Sequence, residues 1–244
     1  MRSKIKLLMT RRPGVTDAML EAALAREIDA IAATSPTPLA VTRAYAITDE
    51  DLYRTAAGAF DGADRPFDTL MDLACDGAVP PADLAKLLDG LGERLADLVD
   101  PAASSALAGT EHVILPGHGP LLVTIANRRL PDYTHEGFIR YWVDYHGPFA
   151  REHTPPDAGL YYRQYHTDEA ATARLSAGTG FPIADFDGAA ECYYPDEAAV
   201  RRLMTNDEVV DRATEDEKEF VDHARCVTCV MTISPTSDGH IVPE

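Results

Sequence analysis

Short apolar runs of strand length alternate along this chain with longer segments of helical period, and the alternation occurs twice. "IKLLMTRRPGVTDAML" (5–20) can be laid beside "LVTIANRRLPDYTHEGF" (122–138): each is an apolar strand, two arginines, a proline turn and a helix start. Thr16 and Thr134 stand where a hydroxyl accepts from an unpaired N–H of the first turn. Further on, "PLAVTRAYAITDED" (38–51) pairs with "AGLYYRQYHTDEA" (158–170), and "FDTLMDLACDG" (67–77) with "FDGAAECYYPD" (186–196). The helical stretch 82–100 takes the place of 197–224, and "TEHVILPG" (110–117) that of "ARCVTCVMTI" (224–233). Each half therefore reads strand, helix, strand, strand, helix, strand, the ferredoxin-like βαββαβ order.

One such unit carries helices on one face of its sheet and leaves the other apolar face bare. Two units on one polypeptide can cover each other. The expected fold is thus α+β, with tandem ferredoxin-like βαββαβ repeats forming an intrachain pseudo-dimeric α/β barrel and a cavity between the sheets. The pattern divides the chain into a degenerate N-terminal repeat (1–117), a C-terminal repeat carrying the candidate site (118–234) and a polar tail (235–244). "ILPGHGPLL" (114–122) is the crossover, and the Gly/Pro/Asp-rich stretches 58–68 and 179–188 read as loops.

The two halves differ in what they bury. The first helix of the N-terminal repeat, "TDAMLEAALAREIDAIAA" (16–33), is filled with alanine, leucine and isoleucine. Its counterpart "YTHEGFIRYWVDYHGPFA" sets Phe138, Tyr141, Trp142 and Tyr145 at i, i+3, i+4 and i+7, one helical face. His146 follows in the last turn, and Gly147-Pro148 is expected to stop the helix. The strands repeat the contrast. Period-2 alternation groups Tyr162, Gln164 and His166 on one face, and Asp187, Glu191 and Tyr193 on one face of a second strand. If both faces look into the cavity between the sheets, aromatic walls would surround proton-carrying groups and shift their pKa values.

Composition narrows the function. With 40 acidic against 22 basic side chains the formal net charge is −18, a field that repels phosphate backbones and anionic membranes. No apolar run approaches the roughly 18 residues that suggest a membrane span, and the start "MRSKIKLLMTRRPG" lacks the apolar core of a secretion signal. A cytoplasmic protein without nucleic-acid or membrane partners is expected. Cys226 and Cys229 form a C-x-x-C on a strand-like segment, where positions three apart face opposite sides, and no second pair completes a zinc site. His146, His166, His223 and Glu191 include no pair spaced to ligate from one helical turn, so no metal is expected.

The C-terminal motifs "ANRRLPDYTHEGFIRYWVDYHGPFA", "YYRQYH", "DFDGAAECYY" and "TEDEKEFVDHAR" occur in the order in which similar segments occur in the EthD family. The chain resembles that family over about residues 120–233, and in its first half only by element order. The resemblance implies the dimeric α/β-barrel fold, with Phe138, Tyr141, Trp142, His146 and Pro148 matching the helix motif. It implies no single reaction, since related barrels include monooxygenases, cyclases, decarboxylases and isomerases. Taken with the residues, it favours a cofactor-free acid/base enzyme (lyase, isomerase or cyclase) on a small, largely apolar aromatic or lactone-like substrate. His146 and His166 would move protons, with Glu191 or Asp187 as partners. Tyr141, Tyr162 and Gln164 would hydrogen-bond the substrate, and Phe138, Trp142, Tyr145 and Tyr193 would wall it. The alternatives are a cofactor-independent monooxygenase and a non-catalytic small-molecule binding protein. Asp216 and Glu217 match the family pattern but lie in an acidic run that reads as a solvated face. A homodimer is compatible with the sequence.

Overall fold

The computed structural model describes residues 1–57, 67–76 and 79–235; most of the loop expected at 58–68 and of the tail expected at 235–244 lies outside them. The first four strands are β1 (Arg2–Met9), β2 (Ala40–Ala46), β3 (Thr69–Asp76) and β4 (Ser105–Leu115). The second four are β5 (Leu121–Asn127), β6 (Tyr161–Thr167), β7 (Gly188–Tyr194) and β8 (Val227–Ile233). All pairings are antiparallel and the sheet closes in the order β1-β3-β2-β8-β5-β7-β6-β4. Within this ring, β4-β1-β3-β2 and β8-β5-β7-β6 are two ferredoxin-like sheets. The second strand of each pairs with the fourth strand of the other, so neither sheet keeps a free edge.

Helices cover the outside. Thr16 caps α1 (Asp17–Thr34), accepting from the Met19 N–H, and Thr134 caps α5 (His135–Tyr141), accepting from the Gly137 N–H. Sequence pattern also placed single helices at 82–100 and 197–224, and both are broken. Gly90, at φ +74°, separates α3 (Pro81–Ala85) from α4 (Leu91–Arg94), because that conformation suits a residue without Cβ. Asn206 ends one helix and caps the next, separating α8 (Glu197–Met204) from α9 (Asp207–Glu217). Two helices have no counterpart in the sequence reading. They follow the second strand of each repeat and reach over the other repeat: α2 (Glu50–Ala57) lies on α8 and β8, and α7 (Glu169–Thr179) on α3 and β4.

The aromatic segment departs most from expectation. Gly147 and Pro148 do not stop the helix. After α5 the chain makes a π turn over Trp142–His146 and continues as α6 (Gly147–His153). Pro148 would press its ring on the carbonyl four residues back in an unbroken α-helix. That carbonyl belongs to Asp144, inside a π turn in which the Gly147 N–H donates to the Trp142 carbonyl five residues back; the turn is wider than an α turn there, and the helix runs on past Pro148. The same turn resets the helical phase. Phe138 and Trp142 are buried, but Tyr145, which simple helical spacing puts beside them, is 63% exposed.

The barrel lumen is filled. On β1, Ile5, Leu7 and Met9 pack outward with the α1 layer, whereas Leu8 faces the lumen with Leu70, Leu107, Tyr165, Tyr193 and Met231. Lys4 and Lys6 share Leu8's side and are fully enclosed. The Lys4 ammonium lies 2.7 Å from Asp72, 3.0 Å from Glu111 and 2.6 Å from Glu191, while Lys6 reaches Asp72 at 3.0 Å and Glu191 at 2.8 Å. Arg163 adds a 3.3 Å contact to Glu111, so three cations meet three carboxylates. A pocket of only about 30 Å³ remains at one end, beside Arg2 and His118. The cavity expected between the two sheets is thus occupied by a neutralised ionic cluster and apolar side chains.

Candidate active site

An enclosed apolar space lies on the other side of the sheet. A cavity of about 150 Å³ sits between the outer face of β5, β6 and β7 and the helices of the C-terminal repeat, with Ala56 and Ala57 of α2 also in its wall. Its floor is Ile125, Tyr162, Ala190, Cys192 and Tyr194; the π turn and α6 contribute His146, Phe149, Ala150 and His153. The roof is α9, through Val209, Val210, Ala213, Thr214 and Glu217. Nearly all of this wall is apolar. An imidazole, a carboxyl and a phenol in such surroundings interact more strongly than they would in water.

His146 is buried, and its Nδ1 lies 2.7 Å from Asp216 Oδ2. With Nδ1–H donating to the carboxylate, Nε2 is the ring atom left to take a proton. Tyr141 donates to the other oxygen of Asp216 at 3.1 Å, which fixes the carboxylate from a second side. One residue on, Glu217 lines the cavity with its side chain 22% exposed. Burial against the apolar wall pushes its carboxyl up to about 7; nearby His146 pulls the value down and Asp216 pushes it up. Glu217 therefore exchanges its proton near neutral pH. The Trp142 Nε1–H donates to the Tyr162 oxygen at 3.0 Å. Burial raises the Tyr162 pKa well above the usual phenol value, so it stays a hydroxyl.

The residues singled out from sequence do not converge on one space. Of the proposed catalytic group, only His146 lines the cavity. His166 does share a face with Tyr162 and Gln164, but that face points to the helices rather than to the lumen. Its ring lies behind Trp142 (centroids 5.1 Å apart) and against His112 (4.4 Å). Burial lowers its pKa to about 3, so it stays neutral and is a poor proton carrier. Glu191 and Tyr193 lie on the opposite side of the barrel wall, in the lumen. Burial alone would raise the Glu191 pKa, but Lys4 and Lys6 outweigh it and hold the carboxyl well below the usual range.

Asp187 is a structural pin at the start of β7. It accepts from the Arg129 backbone N–H at 2.8 Å, pairs with the Arg129 guanidinium and lies 2.8 Å from His135 Nδ1. Its repeat mate Asp68 does the same for Arg11, accepting from its backbone N–H at 3.0 Å and from Nε at 2.9 Å. Period alternation identified each face correctly but could not say which faces look inward. Of the aromatic residues, Phe138, Tyr141 and Trp142 pack around Phe220 behind the cavity, and Tyr145 points away from it. Cys226 and Cys229 do face opposite sides, one packing with Trp142 and the other in the lumen.

Sequence reasoning passed over Asp216 and Glu217, the two carboxyl groups nearest His146. One signal could have found them: Phe220, the only phenylalanine, tyrosine or tryptophan in the acidic run 207–223, is a buried anchor close to both.

Fold and site together define an α/β barrel of two ferredoxin-like repeats with a titratable, mostly apolar pocket under the helices of the second. Residues 130–224, within the C-terminal repeat, match the family model of the EthD domain. No protein of curated function matches the sequence. Among solved structures, a protein provisionally assigned as a chlorite dismutase is 12% identical, with 99% of this chain and 98% of that chain covered and a TM-score of 0.51. A protein of Fusobacterium nucleatum subsp. nucleatum provisionally assigned as a monooxygenase is 8% identical, with 95% and 91% covered and a TM-score of 0.52. A mutant chlorite dismutase from Candidatus Nitrospira defluvii is 12% identical, with 98% and 93% covered and a TM-score of 0.52. At these identities the likeness carries the architecture and no chemistry. Among the described residues no helix is long and apolar enough to cross a membrane.

Proposed function

We propose that the protein is an acid/base enzyme, of lyase, isomerase or cyclase type, acting on a small and largely apolar substrate bound between β7 and α9. One observation carries this reading: a carboxylate-held imidazole and a carboxyl raised to about 7 line the same apolar cavity. His146 Nε2 removes a proton from the substrate and Asp216 stabilises the imidazolium that forms. Glu217, about half protonated at pH 7, returns a proton at a second atom. The Tyr162 hydroxyl donates to the oxyanion that develops between the two steps. The N-terminal repeat completes the barrel on which these elements rest and adds Ala56 and Ala57 of α2 to the cavity wall.

The neighbour assigned as a monooxygenase raises a second reading, in which oxygen attacks the substrate carbanion. It shares only the fold, and the paired proton donor and acceptor favour proton transfer. Turnover of a panel of aromatic and lactone compounds, with and without oxygen, separates the two. Wild type is expected to turn over one of the panel without oxygen, and His146→Ala and Glu217→Gln to lose about 10²–10⁴-fold each. Full activity in both variants would remove the proposed roles. Ligand binding without turnover of any compound would favour a binding protein.

A further inference from the structure

The π turn that aims His146 is held by a side chain from the sheet, and that side chain lies outside the cavity. Gln164 of β6 is fully buried. Its Nε2 donates to the Trp142 carbonyl at 3.0 Å, and its Oε1 lies 3.1 Å from His166 Nε2. With the amide nitrogen spent on the carbonyl, Oε1 accepts, so His166 carries its proton on Nε2. The Trp142 carbonyl is the oxygen that receives the Gly147 N–H across the π turn. In an α-helix it would accept from His146 instead, and about 100° per residue would carry His146 about 40° past the direction of Trp142. The wider turn advances less per residue and sets His146 back towards Trp142 and the cavity.

We propose that Gln164 is a positioning residue: by donating to the Trp142 carbonyl it stabilises the π turn and so points the His146 imidazole at the pocket and at Asp216. This rests on the acid/base reading for its functional meaning, though not for its geometry. Two features converge on the same turn. Pro148 disfavours α geometry at the Asp144 carbonyl, and Gln164 supplies a second hydrogen bond to the Trp142 carbonyl from the strand beneath. His166 acts one step further out, holding the amide in the orientation that presents Nε2 to the helix. The buried strand triplet Tyr162, Gln164 and His166 thereby divides its work: one residue faces substrate and two fix the turn above it.

The test compares Gln164→Leu with Gln164→Glu. Leucine keeps most of the bulk and removes both hydrogen bonds. A buried glutamic acid stays protonated near neutral pH, its hydroxyl donating to Trp142 and its carbonyl accepting from His166. The titratable groups nearest this position are His166 and Tyr162 on its own strand, His112 on β4 and His146 on the π turn, with no lysine or arginine side chain bonded to the amide. The readouts are the His146 ring resonances by NMR and the emission of Trp142, the sole tryptophan. Gln164→Leu is expected to displace both signals. Gln164→Glu is expected to match wild type near neutral pH and depart from it as the introduced carboxyl ionises.

Wild-type His146 ring resonances and Trp142 emission in Gln164→Leu would overturn the proposal. So would equal disturbance by both substitutions at neutral pH. Should the leucine variant fail to fold, the pH series of Gln164→Glu alone decides, since signals that follow wild type through ionisation of the new carboxyl also overturn it. None of these readouts needs a substrate. A failed acid/base reading shows instead as unchanged turnover in His146→Ala.

Discussion

The two repeats cover the outer faces of their sheets in opposite ways. Over the N-terminal sheet, α1, α3 and α4 lay down Leu20, Leu24, Ile31, Leu84, Leu88 and Leu91, closed by Phe181, in a layer of aliphatic side chains. Over the C-terminal sheet the same position in the fold holds Phe138, Trp142 and Phe220, and beside them a cavity lined by His146, Tyr162 and Glu217. One layer is packed for stability, and the other gives up packing for a space with titratable groups. A duplicated scaffold can do this because closure of the barrel does not depend on either helical layer. The lumen, where residues of both repeats meet around Lys4, ties the halves together.

Substitutions can break that comparison or sharpen it. The largest effect is expected in the shared lumen. Lys4→Met leaves Asp72, Glu111 and Glu191 short of a cation and should cost about 3–5 kcal/mol. Urea unfolding should show the loss as one transition, because both repeats contribute to the cluster; two separate transitions would mean that the halves do not depend on each other. In the N-terminal layer, Leu24→Ala should cost about 2–5 kcal/mol and leave Trp142 emission and any ligand binding unchanged. In the C-terminal layer the sign reverses. Ala213→Leu fills the cavity from α9 and should stabilise by about 0.5–2 kcal/mol while blocking ligand binding. The smallest effect belongs to Tyr145, whose exposed ring should tolerate Tyr145→Ala within about 0.5 kcal/mol in thermal unfolding, although it lies inside the aromatic motif.

The duplicated βαββαβ order was legible because strand and helix periods differ and each repeat keeps Thr-capped first helices and an Arg–Asp pin. The asymmetry between Leu/Ala-rich and aromatic helices was legible too, and it marked the C-terminal layer. The location of the pocket was not. Alternation places Gln164 with His166, and Glu191 with Tyr193, but in a closed barrel both faces of every strand are covered, so burial and polarity cannot separate lumen from outer layer. The spacing "K-I-K" in β1 already places Lys4 and Lys6 on one face. Their partners Asp72, Glu111 and Glu191 come from three other strands, and only closure brings them together. The π turn was hidden for a related reason: Pro148 reads as a stop, and what lets the helix continue is a wider turn bonded to Gln164 on a strand that comes later in the chain.

Glu217 also links the pocket to stability. Its folded pKa of about 7 lies above the ordinary carboxylate value, so the folded state binds the proton more tightly than the unfolded chain. The stability this contributes is complete below the ordinary value and is lost as pH rises through about 7, by on the order of 3 kcal/mol. Glu217→Gln should remove this loss and make the variant the more stable protein above neutrality.

The most direct test is a carbon-13 NMR titration of the Glu217 carboxyl, assigned by its absence in Glu217→Gln. A midpoint near 7 that falls to lower pH when Ala213→Gly lets water into the cavity is the result expected of a proton-transfer pocket under α9. A midpoint in the ordinary carboxylate range of about 4–5 would place Glu217 in solvent and leave His146 without its acid partner.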